Sequence, residues 1–215
     1  MTDESLRKAV EKELDWEPAI DAAHIGVAAK DGAVTLTGTV SSYSERTHAL
    51  EAAERVYGVR AVADELEVEI GGESVRDDAD IAEAASCVLQ WDAHVPKTVR
   101  AEVRDGRLTL KGRVDSQFQR DEAEKILRRL IGVREVFNEV TVEPHVRPTG
   151  VAQRIEDALA RQGRLDAGQI TVTAHDGTVR LEGQVRSLAE KRAAHAAATA
   201  APGVVTVDDQ TVVVP

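Results

Sequence analysis

One set of glycines recurs three times along this 215-residue chain. The set comprises Gly32, Gly38 and Gly58, then Gly106, Gly112 and Gly132, then Gly177, Gly183 and Gly203. The spacing inside each set is the same, which indicates one supersecondary unit used three times. We therefore expect three tandem units, at residues 1–70, 78–144 and 148–215.

Hydrophobic periodicity predicts the order helix, strand, strand, helix, strand within each unit. Leu6, Val10 and Leu14 recur every fourth residue, as on the buried face of a helix, and Ile25 and Val27 alternate as on a half-buried strand. The expected fold class is α+β, with three αββαβ modules, each a three-stranded sheet with two helices on one face. The crossover helix makes the third strand parallel to the second, but the neighbour of the third strand stays open.

Each recurring glycine has a predicted structural role. Asp31-Gly32 and its two equivalents favour a two-residue type I′ hairpin, because both residues tolerate positive φ. Gly38 shares the phase of the inward-facing residues of its strand, and we expect it to let a helix approach the sheet. Gly58 follows the second helix, which predicts a left-handed residue at the C′ position of that helix.

The recurring polar residues also favour structural roles. The serines that precede each second helix and the Glu or Gln three residues later predict capping boxes, in which each side chain accepts from the other residue's backbone N–H. They are Ser42 with Glu45, Ser116 with Gln119, and Ser187 with Glu190. Asp64, Asn138 and Asp209, near the start of each third strand, are expected to bond nearby backbone.

These motifs resemble those of the BON domain. The resemblance is carried by Gly38-Thr39-Val40, by the capped start Ser42 to Arg46 and by Gly58-Val59, with equivalents in the other two units. Trp91 to Pro96 and Gln119-Arg120 make the chain similar to cytoplasmic bacterial proteins with three BON domains. The resemblance implies an association with osmotic and other stress, and binding of phospholipid or the cell envelope. One bacterial relative of this family binds potassium.

Catalytic and metal-binding motifs are not evident in the sequence. The six histidines do not recur at equivalent positions and form no H-x-x-x-H spacing, and the glycines lack the order that cradles phosphates. No nucleophile with a plausible base emerges. We therefore expect a protein that is not an enzyme and that has no cofactor and no metal site.

Composition restricts the partners. The net charge of −11 disfavours nucleic acid, and no apolar run approaches the roughly 18 residues of a membrane-spanning helix. The first residues lack the basic and apolar regions of a secretory signal, so we expect a cytoplasmic protein. The single cysteine, Cys87, lies among apolar residues and is predicted to be a buried thiol.

The middle unit carries the one polar pattern that exceeds what folding requires. On the outward phase of its hairpin the sequence places a basic strip, consisting of Arg100, Arg104, Arg107, Lys111 and Arg113. Such a strip could hold the phosphates of lipid headgroups or of a polynucleotide, or the acidic first unit, although we favour a solvated face. Trp16 and Trp91, at equivalent helix ends, are predicted either to plug the core or to line an interface, and we favour the core.

Two functional hypotheses follow. The first is a scaffold or adaptor that binds a phospholipid headgroup or a protein partner through the basic strip. The second is a potassium-sensing module that uses backbone carbonyls and scattered carboxylates. The sequence leaves the oligomeric state open.

Overall fold

A computed structural model describes residues 2–144, 150–161 and 169–214. Unit 1 contains α1 (Asp3–Trp16), β1 (Ile25–Lys30), β2 (Ala33–Val40), α2 (Tyr43–Arg55) and β3 (Ala61–Val68). Unit 2 contains α3 (Asp78–Trp91), β4 (Arg100–Arg104), β5 (Arg107–Lys111), β6 (Arg113–Val114), α4 (Gln117–Leu127), β7 (Glu135–Asn138) and β8 (Thr141–Val142). Unit 3 contains α5 (Val151–Arg161), β9 (Ile170–His175), β10 (Thr178–Val185), α6 (Leu188–Thr199) and β11 (Thr206–Val213). The predicted α+β class with three αββαβ modules is confirmed.

The second strand is the centre of each sheet. In unit 1, β2 pairs antiparallel with β1 and parallel with β3, so the third strand neighbours the second. Unit 3 repeats this pairing, and unit 2 does so with its second and third strands each divided in two. The two helices of each unit pack on the face that carries the apolar phase, where Leu36, Leu110 and Leu181 are fully buried.

The Asp-Gly turns have the predicted type I′ geometry. Asp31 has a φ of 51° and Gly32 has a φ of 83°. The Asp and Gly of the other two turns also have positive φ angles. Lys30 pairs directly with Ala33, which makes the loop two residues long. The Gly32 carbonyl accepts from the Arg60 N–H at 2.8 Å, so the turn also holds the chain that enters β3.

The capping boxes form, but their second hydrogen bond goes to a different residue from the one predicted. The Ser42 side chain accepts from the Glu45 N–H at 3.1 Å, as expected. Glu45 accepts from the N–H of Ser41, the residue before the cap, and also from the Asp21 N–H. Gln119 and Glu190 likewise accept from the residue before their serine. The buried Glu45 thereby ties the loop before β1 to the start of α2.

The glycines of the second strand admit a neighbouring strand and not a helix, so that prediction is wrong. Gly38 pairs with Ile25 on β1, and a Cβ atom on Gly38 would overlap the His24 carbonyl oxygen. Gly112 and Gly183 face the equivalent carbonyls, and all three glycines have φ between 113° and 140°. The absent side chain makes room for the backbone that enters the first strand.

The glycines after the second helices lie in a turn beyond the C′ position. The Val59 N–H bonds the Val56 carbonyl, which closes a four-residue turn with Gly58 third and at a φ of 94°. Gly132 and Gly203 occupy the same place in turns closed by Val133 and Val204. The three valines are buried, so each turn places a valine side chain in the core of its unit.

Asp64, Asn138 and Asp209 satisfy nearby backbone as predicted. Each accepts from the N–H two residues further on, at 3.0–3.2 Å. A basic residue of the second helix contacts each of these sites, with Arg46 donating to Asp64, Arg120 donating to the Asn138 carbonyl, and Lys191 within 3.6 Å of Asp209. This repeated contact fastens the second helix to the third strand.

The strand glycine gives a direct test of the close strand approach. Gly112→Val is expected to lower the free energy of unfolding by about 1–3 kcal/mol, because the new side chain would overlap Thr98 and require a positive φ. Urea denaturation measures the loss. The control is Gly71→Val, at a linker glycine with a φ of −124° and nothing within 4 Å of a Cβ atom. Equal stability of the two variants would contradict the packing described here.

Candidate surface on unit 2

The basic strip lies on the open face of the unit 2 sheet. Arg100 and Arg104 project from β4, Arg107 and Lys111 from β5, and Arg113 from β6, and all five are exposed. The intervening residues, among them Leu108 and Leu110, face the core. Strand alternation therefore places the five cations on one side, as the sequence indicates.

Carboxylates interleave with three of these cations. Lys111 Nζ lies 2.6 Å from Glu102 Oε2, Arg107 Nε 3.6 Å from Glu135 Oε2, and Arg113 Nη1 3.6 Å from Glu143 Oε2. The hydrogen bond to Glu102 raises the pKa of the Lys111 ammonium. The strip is thus largely a mixed-charge face, in which exposed pairs contribute little to stability.

Arg100 and Arg104 differ from the other three cations. Neither forms an ion pair with any residue in the described ranges 2–144, 150–161 and 169–214. Both lie on β4, which is an edge strand of the sheet. Their guanidinium groups are therefore available to an external anion.

A groove beside this edge strand collects further groups. It has a volume of about 480 Å³ and lies between the C-terminal half of α3 and β4. We call it the β4 groove, and its lining residues are Ser86, Leu89, Gln90, Lys97, Val99, Arg100 and Ala101. Lys97 and Arg100 supply two positive charges, and Leu89 and Val99 supply apolar wall. Sequence reasoning did not single out Lys97, because only the packing of α3 against β4 brings it beside Arg100.

The two tryptophans are exposed, so the favoured core position is wrong. Trp16 is 83% exposed and Trp91 is 85% exposed. Each comes two residues after a buried leucine of its helix, Leu14 or Leu89, and a rotation of about 100° per residue turns it away from the core. Trp91 directly follows Gln90, a lining residue of the β4 groove.

Cys87 is also exposed, in contrast to its predicted burial. The buried stripe of α3 consists of Ile81, Ala85 and Leu89, and Cys87 lies midway between the last two, on the opposite side of the helix. The apolar neighbours in the sequence belong to other faces of the same helix. The thiol is therefore accessible to solvent.

Over the described residues, no cluster of three or more His, Cys, Asp and Glu side chains could hold a metal ion. Among the helices in those ranges, none has the length and apolar character to cross a membrane.

The architecture defines the class of protein as a tandem array of three small α+β modules. The model of the BON domain matches residues 2–70, 77–144 and 149–215, so the chain belongs to the BON-domain family. No curated protein matches the sequence.

Two solved structures illustrate the similarity to proteins of known structure. One is CdsD, a structural protein of the type III secretion system of Chlamydia trachomatis, at 16% identity and a TM-score of 0.28, covering 98% of this chain and 93% of that one. The other is the periplasmic domain of PrgH from S. typhimurium, at 12% identity and a TM-score of 0.24, covering 87% and 93%. TM-scores this low carry no inference about function.

The exposure of Trp91 leads to a prediction about the free energy of unfolding. Trp91→Ala is expected to change the free energy of unfolding by less than about 0.5 kcal/mol, because the indole is almost entirely in water. Leu89→Ala, two residues earlier on the buried face, is expected to cost about 2–5 kcal/mol. Urea denaturation followed by circular dichroism compares the two, and a large loss for Trp91→Ala would place the indole in the core after all.

Proposed function

We propose that this chain is a non-enzymatic binding protein whose second unit binds the phosphates of phospholipid headgroups in the β4 groove. The observation that carries the proposal is the position of Arg100, which lines this groove with Lys97 and forms no ion pair within the described part of the chain. A guanidinium and an ammonium side by side suit a phosphate, since the first donates in a fork and the second acts as a compact charge.

The surroundings of these cations favour a lipid over a free anion. Leu89 and Val99 give the groove an apolar side that a glycerol or upper acyl segment can contact. Trp91 stands exposed at the end of α3, and tryptophan prefers the boundary between membrane and water. Cations with a neighbouring exposed indole form an arrangement suited to a headgroup layer.

The charge of the whole chain limits how strongly this surface attracts a membrane. The chain carries a net charge of −11, so long-range attraction to an anionic bilayer is weak and binding depends on short-range contacts at unit 2. We expect modest affinity that falls as salt is added. Membership of the BON family supports phospholipid as the ligand, and we propose an adaptor role connected with stress.

Vesicle flotation tests the proposal. Wild-type protein is expected to float with vesicles containing phosphatidylglycerol more than with vesicles of phosphatidylcholine alone. Lys97→Glu combined with Arg100→Glu is expected to reduce flotation by about tenfold or more, because repulsion replaces two phosphate contacts. Trp91→Ala is expected to weaken flotation with the phosphatidylglycerol vesicles, because the contact of the indole with the headgroup layer is lost.

The matched control reverses two charges elsewhere. Lys12→Glu with Lys30→Glu alters exposed lysines of unit 1 by the same total charge and should retain most of the binding. Loss of flotation in both double variants to the same extent would assign the effect to net charge and not to the groove. Undiminished flotation of the Lys97 and Arg100 variant would refute the proposed site.

A further inference from the structure

The second helix of unit 3 docks on the second helix of unit 1. α6 packs against α2, and Leu188 contacts the apolar core of unit 1. Arg192 Nε lies 2.5 Å from Glu54 Oε2, and its Nη1 lies 3.7 Å from Glu51 Oε1. An apolar residue at the start of α6 and a cation one turn later therefore engage the C-terminal half of α2.

Unit 1 contacts unit 2 with the equivalent part of its own second helix. Tyr43, the first residue of α2, packs against the core of unit 2, and burial raises the pKa of its phenol. Thr47 lines a cavity of about 290 Å³ together with Glu124 and Arg128 of unit 2. The start of α2 thus lies against the C-terminal half of α4.

Unit 2 contacts unit 3 in the same sense. Gln117, the first residue of α4, lines a groove of about 530 Å³ together with His195 and Thr199 of α6. Burial raises the pKa of the Asp121 carboxyl, and His195 is among the groups that oppose this shift. The start of α4 therefore faces the C-terminal half of α6.

The three contacts use the same positions of the repeat. Tyr43, Gln117 and Leu188 each directly follow the capping serine of their helix, and Thr47, Asp121 and Arg192 come four residues later. We call these the leading positions, and we call Glu54, Arg128 and Thr199 the receiving positions. The leading positions of unit 1 contact the receiving positions of unit 2, those of unit 2 contact unit 3, and those of unit 3 contact unit 1.

We infer that the second helix of this module is a head-to-tail docking surface whose partner is another copy of the module, and that the chain closes three copies into a ring. A contact between two different surfaces generates a ring when its rotation closes, and three applications close it here. Each leading surface and each receiving surface is then used once. The full chain is expected to be monomeric with respect to this contact.

Charges at the leading and receiving positions favour this direction around the ring. Arg192 leads onto Glu54, an attractive pair. If the three units were arranged around the ring in the opposite direction, Arg192 would lie against Arg128 and Asp121 would lie against Glu54. Both of these pairs would repel. Like charges placed against the wrong partner raise specificity as effectively as attraction to the right one.

The Arg192–Glu54 contact is the most sensitive point of the ring. Glu54 Oε2 is buried, and Arg192 Nε, 2.5 Å away, is its charge partner. Burial raises the pKa of this carboxyl, and Arg192 opposes the shift. Loss of the arginine would leave a partly buried carboxylate without its charge partner, which is costly.

Small-angle X-ray scattering on the full chain tests the closed ring. The wild-type radius of gyration is expected near 17 Å, the value for a compact body of this length. Arg192→Glu is expected to raise this radius and to speed hydrogen exchange in α2 and α6 on the order of tenfold or more, while the unit 2 sheet keeps its protection. Arg154→Glu, an exposed charge reversal on α5 of the same unit, is the matched control and should behave as wild type.

A compensating variant separates undocking from unfolding. Arg192→Glu combined with Glu54→Arg restores opposite charges across the contact and is expected to recover the wild-type radius and exchange rates. Failure of the double variant to recover would overturn the assigned contact. The ring is also refuted if the wild-type radius is that of separate units, or if Arg192→Glu scatters and exchanges as wild type does.

Discussion

Each unit depends on covering one apolar face of a three-stranded sheet with two helices. The central strand supplies some of the largest fully buried side chains, such as Leu36 and Leu181, and these need cover from the helices. A domain of about 60 residues buries only about 60% of the surface of its unfolded chain, so little stability is in reserve. The repeated features help to place the helices over the sheet. The type I′ turn aligns the hairpin, the capping serine begins the second helix, and the glycine turn returns a buried valine to the core.

The second helix has a double role that follows from its position. Its inner face completes the core of its own unit, where Ala49, Ala52 and Ala53 are fully buried. Its outer face contacts another unit, and the residues there, such as Thr47, Asp121 and Arg192, differ from copy to copy. Apolar inner faces in all three copies preserve the fold, while different outer side chains define which unit contacts which. The open sheet faces are left to external partners, and unit 2 presents there Arg100 and Arg104, which form no ion pair within the described residues.

Some local motifs were predicted correctly from the sequence and others were not. The Asp-Gly turns and the backbone bonds of Asp64, Asn138 and Asp209 were predicted correctly, because each depends on residues two or three apart. The serine half of the capping boxes was also correct, whereas the acceptor half was displaced by one residue. The predictions for Gly38, Trp91 and Cys87 were wrong. In those cases the sequence pattern indicated an apolar or cramped environment, but the direction of the side chain relative to the core decided the outcome.

The sequence by itself determined the three-fold repetition, the αββαβ order and the residues of the basic strip, because spacing and periodicity are properties of the chain and persist in any arrangement of the units. The tertiary structure alone decided which cations of the strip are paired, since Glu102, Glu135 and Glu143 reach the strip only through strand pairing and side-chain placement. It also decided that Lys97 joins Arg100 in one groove and that Arg192 meets Glu54. These contacts join residues far apart in the chain, and no local pattern encodes the distance between them.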